Sequence, residues 1–277
     1  MGMRKLRHKL VLITGAGSGI GRAAALAFAD CGAHIVAADI GMASLDTLRP
    51  EIEALGVRFH AFAVDVSSEA AMREFAAQVR SQIGVVDVLI NNAGIAYLGR
   101  FLEGDLDHWE RIMNVNLMGV VYGCRYFIPD MIAAGGARQV VNVASAAGVY
   151  PAPSMAAYAA SKHAVFGLTE VLKMEMSGTD IRFTTVCPGV INTAIVTTGS
   201  SVAASFPAAK LAKLQAHYKR SGCSPDQVAQ DMLRAVRGRR GLCLTGPGSA
   251  LLYHTKRISL SLVRLAMESS ARKIGYL

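Results

Sequence analysis

The sequence predicts a three-layer α/β fold built around a doubly wound parallel sheet of about seven strands. Three observations lead to this prediction. Short apolar runs alternate with longer stretches of helical periodicity from the start of the chain. Runs such as residues 140–143 lack the polar alternation of a half-exposed strand, which indicates strands covered on both faces by helices. A glycine-rich turn joins the first apolar run to the first helical stretch.

The individual elements follow from the same pattern. The predicted strands are Leu10–Thr14, Ala33–Asp39, Arg58–Asp65, Val86–Ile90, Gln139–Ala144 and Ile181–Cys187, with a seventh at Gly241–Thr245. The helical segments between them are Gly19–Gly32, Ala43–Leu55, Ser68–Ile83, Leu106–Ala134 and Met155–Ser177. Their lengths suit the right-handed crossovers that join parallel strands.

The rhythm changes after Pro188-Gly189. A basic helical segment is predicted near Ala208–Arg220, and Ser224 has the sequence context of an N-cap for a helix from Pro225 to about Arg237. A last helix, amphipathic and basic, is predicted from about Ala250 to Arg272. Its apolar face would carry Leu251, Ile258, Leu262 and Leu265, with Arg257, Arg264 and Arg272 toward the other face.

Composition limits the class of protein. The chain has 277 residues, 52% of them hydrophobic and 18% charged, which is enough to bury a full core as a single domain. No apolar run approaches the roughly 18 residues of a membrane-spanning helix, and the basic start is interpreted as mature sequence. The five cysteines are widely spaced and form no CxxC or Cys/His cluster, which argues against a disulfide framework or a zinc site and favours a reducing compartment.

The positive charge is concentrated at the C-terminal end. The formal net charge is −1 for residues 1–189 and +10 for residues 190–277, which together give the +9 of the whole chain. Such an uneven charge distribution can indicate binding to nucleic acid, to an anionic membrane surface, or to an acidic substrate or partner.

The glycine-rich turn is the first motif with chemical meaning. It reads Thr14-Gly15-Ala16-Gly17-Ser18-Gly19-Ile20-Gly21, and it opens a helix whose N–H groups and dipole can hold a pyrophosphate. Asp39 lies 18 residues after Gly21 at the end of the second strand, where a carboxylate can bind an adenosine ribose. A tight turn and a solvated aspartate would explain the same residues, so neither feature is decisive by itself.

With two further motifs the chain resembles the short-chain dehydrogenases/reductases of the common shorter-subunit type. The matching motifs are TGxxxGxG at Thr14 to Gly21, Asn91-Asn92-Ala93-Gly94 after the fourth strand, and Tyr158-Ala159-Ala160-Ser161-Lys162. The resemblance runs from about Lys9 to Thr193 and implies a Rossmann fold with strand order 3-2-1-4-5-6-7. It also implies a cofactor-binding and catalytic core (1–189), a substrate lid with a helix and the last strand (190–248), and the basic C-terminal helix (249–277).

The resemblance implies four catalytic residues, Asn116, Ser145, Tyr158 and Lys162. Hydride transfer to or from a carbon requires its oxygen to gain or lose a proton, so a group that acts at neutral pH is needed. Lys162 lies one helical turn after Tyr158, where its charge would stabilise the phenolate and lower its pKa. Ser145 would donate a hydrogen bond to the substrate oxygen, and Asn116 would hold a water in a proton path linked to Lys162.

The resemblance also implies a dinucleotide site. The predicted contacts are Gly15, Ser18, Gly19, Ile20, Gly21, Asp39, Asp65, Val66, Asn92, Ala93, Gly94, Tyr158, Lys162, Pro188, Gly189, Ile191 and Thr193. NAD is favoured over NADP, because the carboxylate of Asp39 would repel a 2′-phosphate and the variable loop positions offer no cation. Arg22 follows the loop, but it lies inside the helix, where a surface role is more common. No metal is predicted, since the histidines lack ligand spacing.

The substrate is predicted from the segment that follows the sixth strand, which would close over the site. This segment holds Val196, Val202, Phe206 and Leu211, and the catalytic segment holds Val149, Tyr150, Pro151 and Met155. They favour a lipophilic secondary alcohol or ketone, such as a steroid, a retinoid-like or a long-chain compound, although packing alone also explains apolar loops. The alternatives are a 3-oxoacyl-carrier-protein reductase, a type that generally prefers NADPH, and a non-catalytic nucleotide sensor or nucleic-acid-binding protein.

The remaining expectations concern partners and location. Family members are usually dimers or tetramers, so a homodimer or homotetramer is predicted. The basic C-terminal helix has four interpretations: a subunit boundary, an anionic membrane surface, an acyl-carrier contact, or a cap with solvated arginines. Nucleic acid is not expected, because the basic segment lacks interleaved aromatic residues. The predicted location is the cytoplasm, with peripheral membrane contact as the alternative.

Overall fold

A single parallel sheet organises the molecule. The computed structural model describes residues 6–192 and 202–274. Seven strands are hydrogen-bonded in the order β3-β2-β1-β4-β5-β6-β7, and every pairing is parallel. The predicted fold class and strand order are therefore confirmed.

All seven predicted strands are present, with ends shifted by a few residues. They are β1 Leu10–Thr14, β2 His34–Asp39, β3 Phe59–Ala63, β4 Val88–Asn91, β5 Arg138–Val143, β6 Ile181–Pro188 and β7 Leu242–Thr245. At β3 the chain leaves the sheet after Ala63, so Asp65 lies in the loop beyond the strand. In a parallel sheet the carboxyl ends of the strands lie along one edge, and this edge gathers the predicted site residues.

The helices flank the sheet on both faces. They are α1 Gly19–Asp30, α2 Met42–Glu53, α3 Glu69–Gln82, α4 Leu106–Met113, α5 Gly119–Ala133, α6 Ala156–Glu175, α7 Ala208–Ser221, α8 Pro225–Arg237, α9 Ser249–Ile258 and α10 Leu260–Ile274. The predicted N-cap of α8 is confirmed, since Ser224 Oγ accepts a 3.1 Å hydrogen bond from Gln227 N.

Two predicted helices are divided. The segment Leu106–Ala134 contains one turn of π-helix, Asn114–Met118, between α4 and α5. The predicted C-terminal helix is wrong as a single element, because α9 ends at Ile258 and α10 begins at Leu260. Ser259 separates them with an extended backbone, and its Oγ accepts a 3.3 Å bond from Leu262 N. A serine hydroxyl competes with the helical hydrogen bonds and favours a new N-terminus.

The apolar side chains predicted for one face of the C-terminal segment are not covered by the domain. All four residues of this face are exposed rather than packed on the domain; they are Leu251, Ile258, Leu262 and Leu265. The residues of α10 that are buried are Val263 and Ala271. Helical periodicity identified an apolar stripe, but the stripe that packs on the domain is a different one.

Two apolar clusters form the core, one on each face of the sheet. Successive side chains of a strand point to opposite faces, so each central strand contributes to both clusters. On one face the sheet packs against α1, α2 and α8, and on the other against α3, α5 and α6. A third, smaller cluster lies above the carboxyl edge of the sheet. Among the described residues, no helix combines the length and the apolar character needed to cross a bilayer.

Candidate active site

The glycine-rich turn is held against the loop that follows β4. Thr14 Oγ1 accepts hydrogen bonds from Asn92 N (3.0 Å) and Ala93 N (3.1 Å), while Asn92 Nδ2 donates to Thr14 O (2.9 Å). Gly15 has a φ of +64°, and a Cβ on it would lie 2.8 Å from the Cα of Ala93. Only glycine fits this close approach.

The N-terminus of α1 lies at the end of this turn. Gly19 and Ile20 open the helix and are partly exposed, and the exposed Ser18 is the N-cap residue without a side-chain capping bond. Gly21 is buried, and a Cβ there would lie 2.0 Å from Gly15 O. The first turn carries no acidic side chain. A helix N-terminus of this kind has free N–H groups and a positive dipole end, which fit a pyrophosphate.

Asp39 closes the side of this site at the end of β2. Its Oδ2 accepts a hydrogen bond from Gly17 N (2.9 Å) and its Oδ1 accepts one from Gly41 N (3.3 Å). The carboxylate is thus fixed beside the glycine-rich turn, where ribose hydroxyls of a dinucleotide would reach it. Arg22 is directed elsewhere and forms an ion pair with Glu51, as expected for a surface residue.

Of the remaining predicted cofactor residues, those that the structure describes lie along the same edge of the sheet. Asp65 Oδ1 accepts bonds from Ser67 N (2.9 Å) and Ser67 Oγ (2.7 Å), which fixes the turn after β3. Val66 is buried, and a Cβ on Gly119 would lie 3.0 Å from its Cγ2. Pro188 ends β6, Gly189 N donates to Thr245 O (2.9 Å), and Ile191 pairs with Cys223. Thr193 and Val196 lie outside the described residues.

Ser145 and Tyr158 form the reactive pair of the predicted catalytic set. Ser145 lies two residues beyond β5, where its Oγ caps a short 3-10 helix by accepting a 3.1 Å bond from Ala147 N. Tyr158 lies in the first turn of α6, partly buried, and shares a hydrogen bond with Ser145. Burial raises the pKa of Tyr158 to about 12, and the hydrogen bond to Ser145 acts in the opposite direction.

Lys162 lies beneath this pair. The side chain is buried, its Nζ donates a 2.8 Å hydrogen bond to Val143 O, and it lies 5.9 Å from the centre of the Tyr158 ring. Burial lowers the pKa of Lys162 to about 8. The pKa of Tyr158 is raised in this chain rather than lowered as the sequence predicts, and burial of the side chain is the largest cause.

Asn116 joins the loop after β4 to α6. It lies in the π-helical turn, where Oδ1 accepts from Ile95 N (2.8 Å) and Nδ2 donates to Ile95 O (2.9 Å) and Ser161 Oγ (3.1 Å). A Cβ on Gly94 would lie 3.3 Å from both Asn116 Oδ1 and Lys162 Nζ. The side chain of Asn116 therefore holds the loop in place, and a water bound by this residue stays a prediction.

A roof of apolar side chains lies above Tyr158. Val202, Phe206 and Leu211, predicted from the sequence, belong to the same cluster as Tyr158, whereas Val149 and Tyr150 pack in the main core. Met155 was also predicted and belongs to this cluster, whereas sequence reasoning missed five of its members, which are Ala96, Leu98, Ala152, Leu214 and Tyr218. The spacing of Leu211, Leu214 and Tyr218 along one face of α7 was the available signal.

The fold and the motifs at the carboxyl edge of the sheet are those of the short chain dehydrogenases. The family model for the short chain dehydrogenase matches residues 9–202, which is more than half of the chain. The chain therefore belongs to the short chain dehydrogenase family, and the resemblance inferred from its motifs is confirmed.

The similar proteins of known name are oxidoreductases of several kinds. "Probable oxidoreductase EphD" of Mycobacterium tuberculosis is 37% identical over 95% of this chain, which spans 44% of the length of that relative. The 3-oxoacyl-[acyl-carrier-protein] reductase FabG of Thermotoga maritima is 40% identical over 68% of this chain and 76% of its own. A short chain dehydrogenase/reductase of Burkholderia phymatum, solved in complex with NAD, is 32% identical with a TM-score of 0.83, over 93% of this chain and 96% of its own.

Proposed function

We propose that the protein is an NAD-dependent oxidoreductase that transfers a hydride between nicotinamide and a lipophilic secondary alcohol or ketone. The observation that carries this proposal is the position of Tyr158, which shares a hydrogen bond with Ser145 and packs in an apolar cluster roofed by α7. A proton-transfer group under an apolar roof suits a carbinol or carbonyl on a hydrophobic body. Steroids, retinoid-like compounds and long-chain ketones meet this description.

The chain's own residues supply the proton chemistry. In the oxidation direction, Tyr158 accepts the hydroxyl proton of the alcohol while the carbinol C–H bond breaks and its hydride leaves. Ser145 donates a hydrogen bond to the substrate oxygen and stabilises the developing alkoxide. Lys162 holds a positive charge below the phenolate and would also bind the nicotinamide ribose. The bound nicotinamide accepts or supplies the hydride.

The preference for NAD rests on Asp39. Its carboxylate accepts hydrogen bonds from Gly17 N and Gly41 N, so it stands beside the place for the adenosine ribose. A 2′-phosphate there would meet a fixed negative charge. Arg22, the cation that follows the turn, forms an ion pair with Glu51 instead.

A second candidate is a 3-oxoacyl-carrier-protein reductase. The 40% identity to the Thermotoga maritima protein of that name favours it. The basic helix α7, with Lys210, Lys213, Lys219 and Arg220, would also suit an acidic carrier. Asp39 argues against it, because reductases of that kind generally prefer NADPH. A non-catalytic sensor is disfavoured by the intact set of Ser145, Tyr158 and Lys162.

The test is the absorbance change of nicotinamide with NAD(H) and NADP(H) over alcohols and ketones of increasing size. The proposal expects turnover with NAD that rises with the apolar bulk of the substrate and disappears in Tyr158→Phe. Tyr126→Phe is the matched control, because the hydroxyl of Tyr126 on α5 bonds to Glu69 away from the site. Turnover limited to carrier-linked 3-oxoacyl substrates with NADPH would favour the second candidate and overturn the first.

Assembly and location belong to the same proposal. A homodimer or homotetramer is expected from the family, and size-exclusion chromatography with light scattering measures it directly. The proposed location is the cytoplasm. Fractionation of cells into soluble and membrane pools tests the location.

A further inference from the structure

The last helices form one block with the helix that roofs the active site. α10 packs against both α7 and α9. Two contacts anchor α9 to the domain. The ring centre of Tyr253 lies 6.5 Å from that of Phe166 on α6. The buried Ser249 donates a 2.9 Å hydrogen bond from its Oγ to Thr245 O. α7 in turn carries Leu211 and Leu214 into the cluster around Tyr158. We call α7, α9 and α10 the C-terminal block.

Large apolar side chains of this block are in contact with solvent. Leu251 is 72% exposed, Ile258 86%, Leu262 58% and Leu265 68%. On α9, Leu251 and Ile258 are seven residues apart and share one face, and Leu262 and Leu265 are three apart on α10. Clustered exposed apolar residues of this size mark a site of interaction rather than ordinary surface.

The charge of the block identifies the kind of partner. Its three helices carry nine Lys and Arg residues and a single acidic residue, Glu268. Within the described part of the chain, Arg272 is the one of these cations that forms an ion pair, with Glu268 at 2.8 Å. Two-fold self-association through this surface would bring two sets of like charges together, which is unfavourable. Nucleic acid would match the charge but leave the leucines without a partner.

We propose that the C-terminal block docks on an anionic lipid bilayer, and that the lipophilic substrate reaches Tyr158 from the lipid through the roof formed by α7. Exposed Leu and Ile side chains beside Lys and Arg are the pattern of helices that lie in the interface of an anionic membrane. The substrate part rests on the proposed function, whereas the docking part does not. A lipid-docked roof would shorten the path of a compound that is poorly soluble in water.

The docking test is co-sedimentation of the full chain with vesicles of phosphatidylcholine, with and without phosphatidylglycerol, at physiological ionic strength. We expect binding to the anionic vesicles alone. The pairs Leu251→Gln/Ile258→Gln and Leu262→Gln/Leu265→Gln should each weaken it at least about tenfold, and Lys213→Gln/Lys219→Gln should do the same. Met174→Gln is the matched control. Met174 is an exposed apolar residue (77%) near the end of α6, a helix outside the C-terminal block.

Three results would overturn docking. They are failure of the full chain to bind phosphatidylglycerol vesicles, unchanged binding by both leucine pairs, and conversion of an oligomer to monomers by the leucine pairs with vesicle binding intact. The last result would assign the surface to a second copy of the chain.

Substrate delivery is tested with the same variants. The Leu262→Gln/Leu265→Gln enzyme should keep its turnover of a small soluble ketone and lose most of its turnover of a long-chain ketone dissolved in anionic vesicles. Equal loss with both substrates would overturn delivery from the lipid. Vesicle binding without turnover of any alcohol or ketone would overturn the proposed function and leave docking intact, so the two proposals fail separately.

Discussion

The ammonium of Lys162 donates a 2.8 Å hydrogen bond to the carbonyl oxygen of Val143, the last residue of β5. This bond ties the helix that carries Tyr158 to the strand that leads to Ser145, so the three groups proposed to act in catalysis share one rigid support. The arrangement requires a lysine to be buried, and burial lowers its pKa to about 8. Active sites commonly keep such unfavourable charges for the sake of function.

Lys162→Met should remove turnover while leaving the fold at least as stable at neutral pH. Removing the charge near Tyr158 should lower kcat at least about 100-fold. A lysine in the unfolded chain has a pKa near 10.4, whereas the pKa of Lys162 in the folded protein is about 8. Between these values the folded state binds fewer protons, so wild-type stability rises with pH there. The Tm advantage of Lys162→Met at pH 7 should therefore shrink as the pH is raised through this window.

Lys173→Met is the control for that measurement. Lys173 lies on the same helix and donates a 2.6 Å bond to Gly241 O outside the site. We expect this variant to keep its kcat and to lose stability. A Tm of Lys162→Met below that of wild type at every pH would show that the bond to Val143 outweighs the burial of the charge.

Asp39→Ala should change the cofactor preference. The substitution removes the carboxylate that accepts from Gly17 N and Gly41 N and that would hold the adenosine ribose. KM for NAD should rise about tenfold, and KM for NADP should fall, because the charge that repels the 2′-phosphate is gone. Asp30→Ala, at the exposed end of α1, is the control. An unchanged ratio of kcat/KM for the two cofactors would exclude Asp39 from the site.

Gly94→Ala should impair catalysis more than folding. The added Cβ would lie 3.3 Å from Asn116 Oδ1 and Lys162 Nζ, so both groups would have to shift by a few tenths of an ångström. Displacing a catalytic lysine by that amount should lower kcat roughly tenfold to a hundredfold. Gly167→Ala, on the exposed face of α6 with no atom within 4 Å of its Cβ, should keep kcat. It should also add roughly 0.5–1 kcal/mol to the free energy of unfolding. Equal kcat for both variants would contradict the prediction.

Ser224→Ala should destabilise the protein without affecting chemistry. Its Oγ accepts from Gln227 N at the start of α8, a helix packed on α1 in the core. Loss of an N-cap lowers the free energy of unfolding by about 1 kcal/mol, which thermal unfolding detects as a Tm lower by roughly 2–4 °C. Ser269→Ala, exposed on α10, should leave Tm unchanged or raise it slightly. If the Tm of Ser224→Ala equals that of wild type within error, the Ser224 cap does not contribute measurably to stability.

The sheet and the catalytic set follow from local signals in the sequence. Apolar runs predicted the seven strands, and the resemblance to the short chain dehydrogenases implied that Tyr158 and Ser145 belong to one site. The π-helical turn at Asn114–Met118 could not be predicted, because one extra residue in a turn changes hydrogen bonding but barely changes hydrophobic periodicity.

The C-terminal segment shows a second limit of periodicity. The spacing of Leu251, Ile258, Leu262 and Leu265 correctly indicated an apolar stripe, but a stripe does not specify what covers it. Ser259 divides the segment, and its hydroxyl bond to Leu262 N depends on the backbone turning there. The raised pKa of Tyr158 could not be predicted either, because it depends mainly on how deeply the side chain is buried in the fold.

The hydroxyl of Thr14 accepts from the backbone nitrogens of both Asn92 and Ala93. These two hydrogen bonds join the turn after β1 to the loop after β4 within the folded chain. A dinucleotide that binds there meets walls already in position, so little conformational entropy is lost in shaping them. Under the proposed function, affinity for the cofactor would then depend mainly on how well the dinucleotide complements these walls.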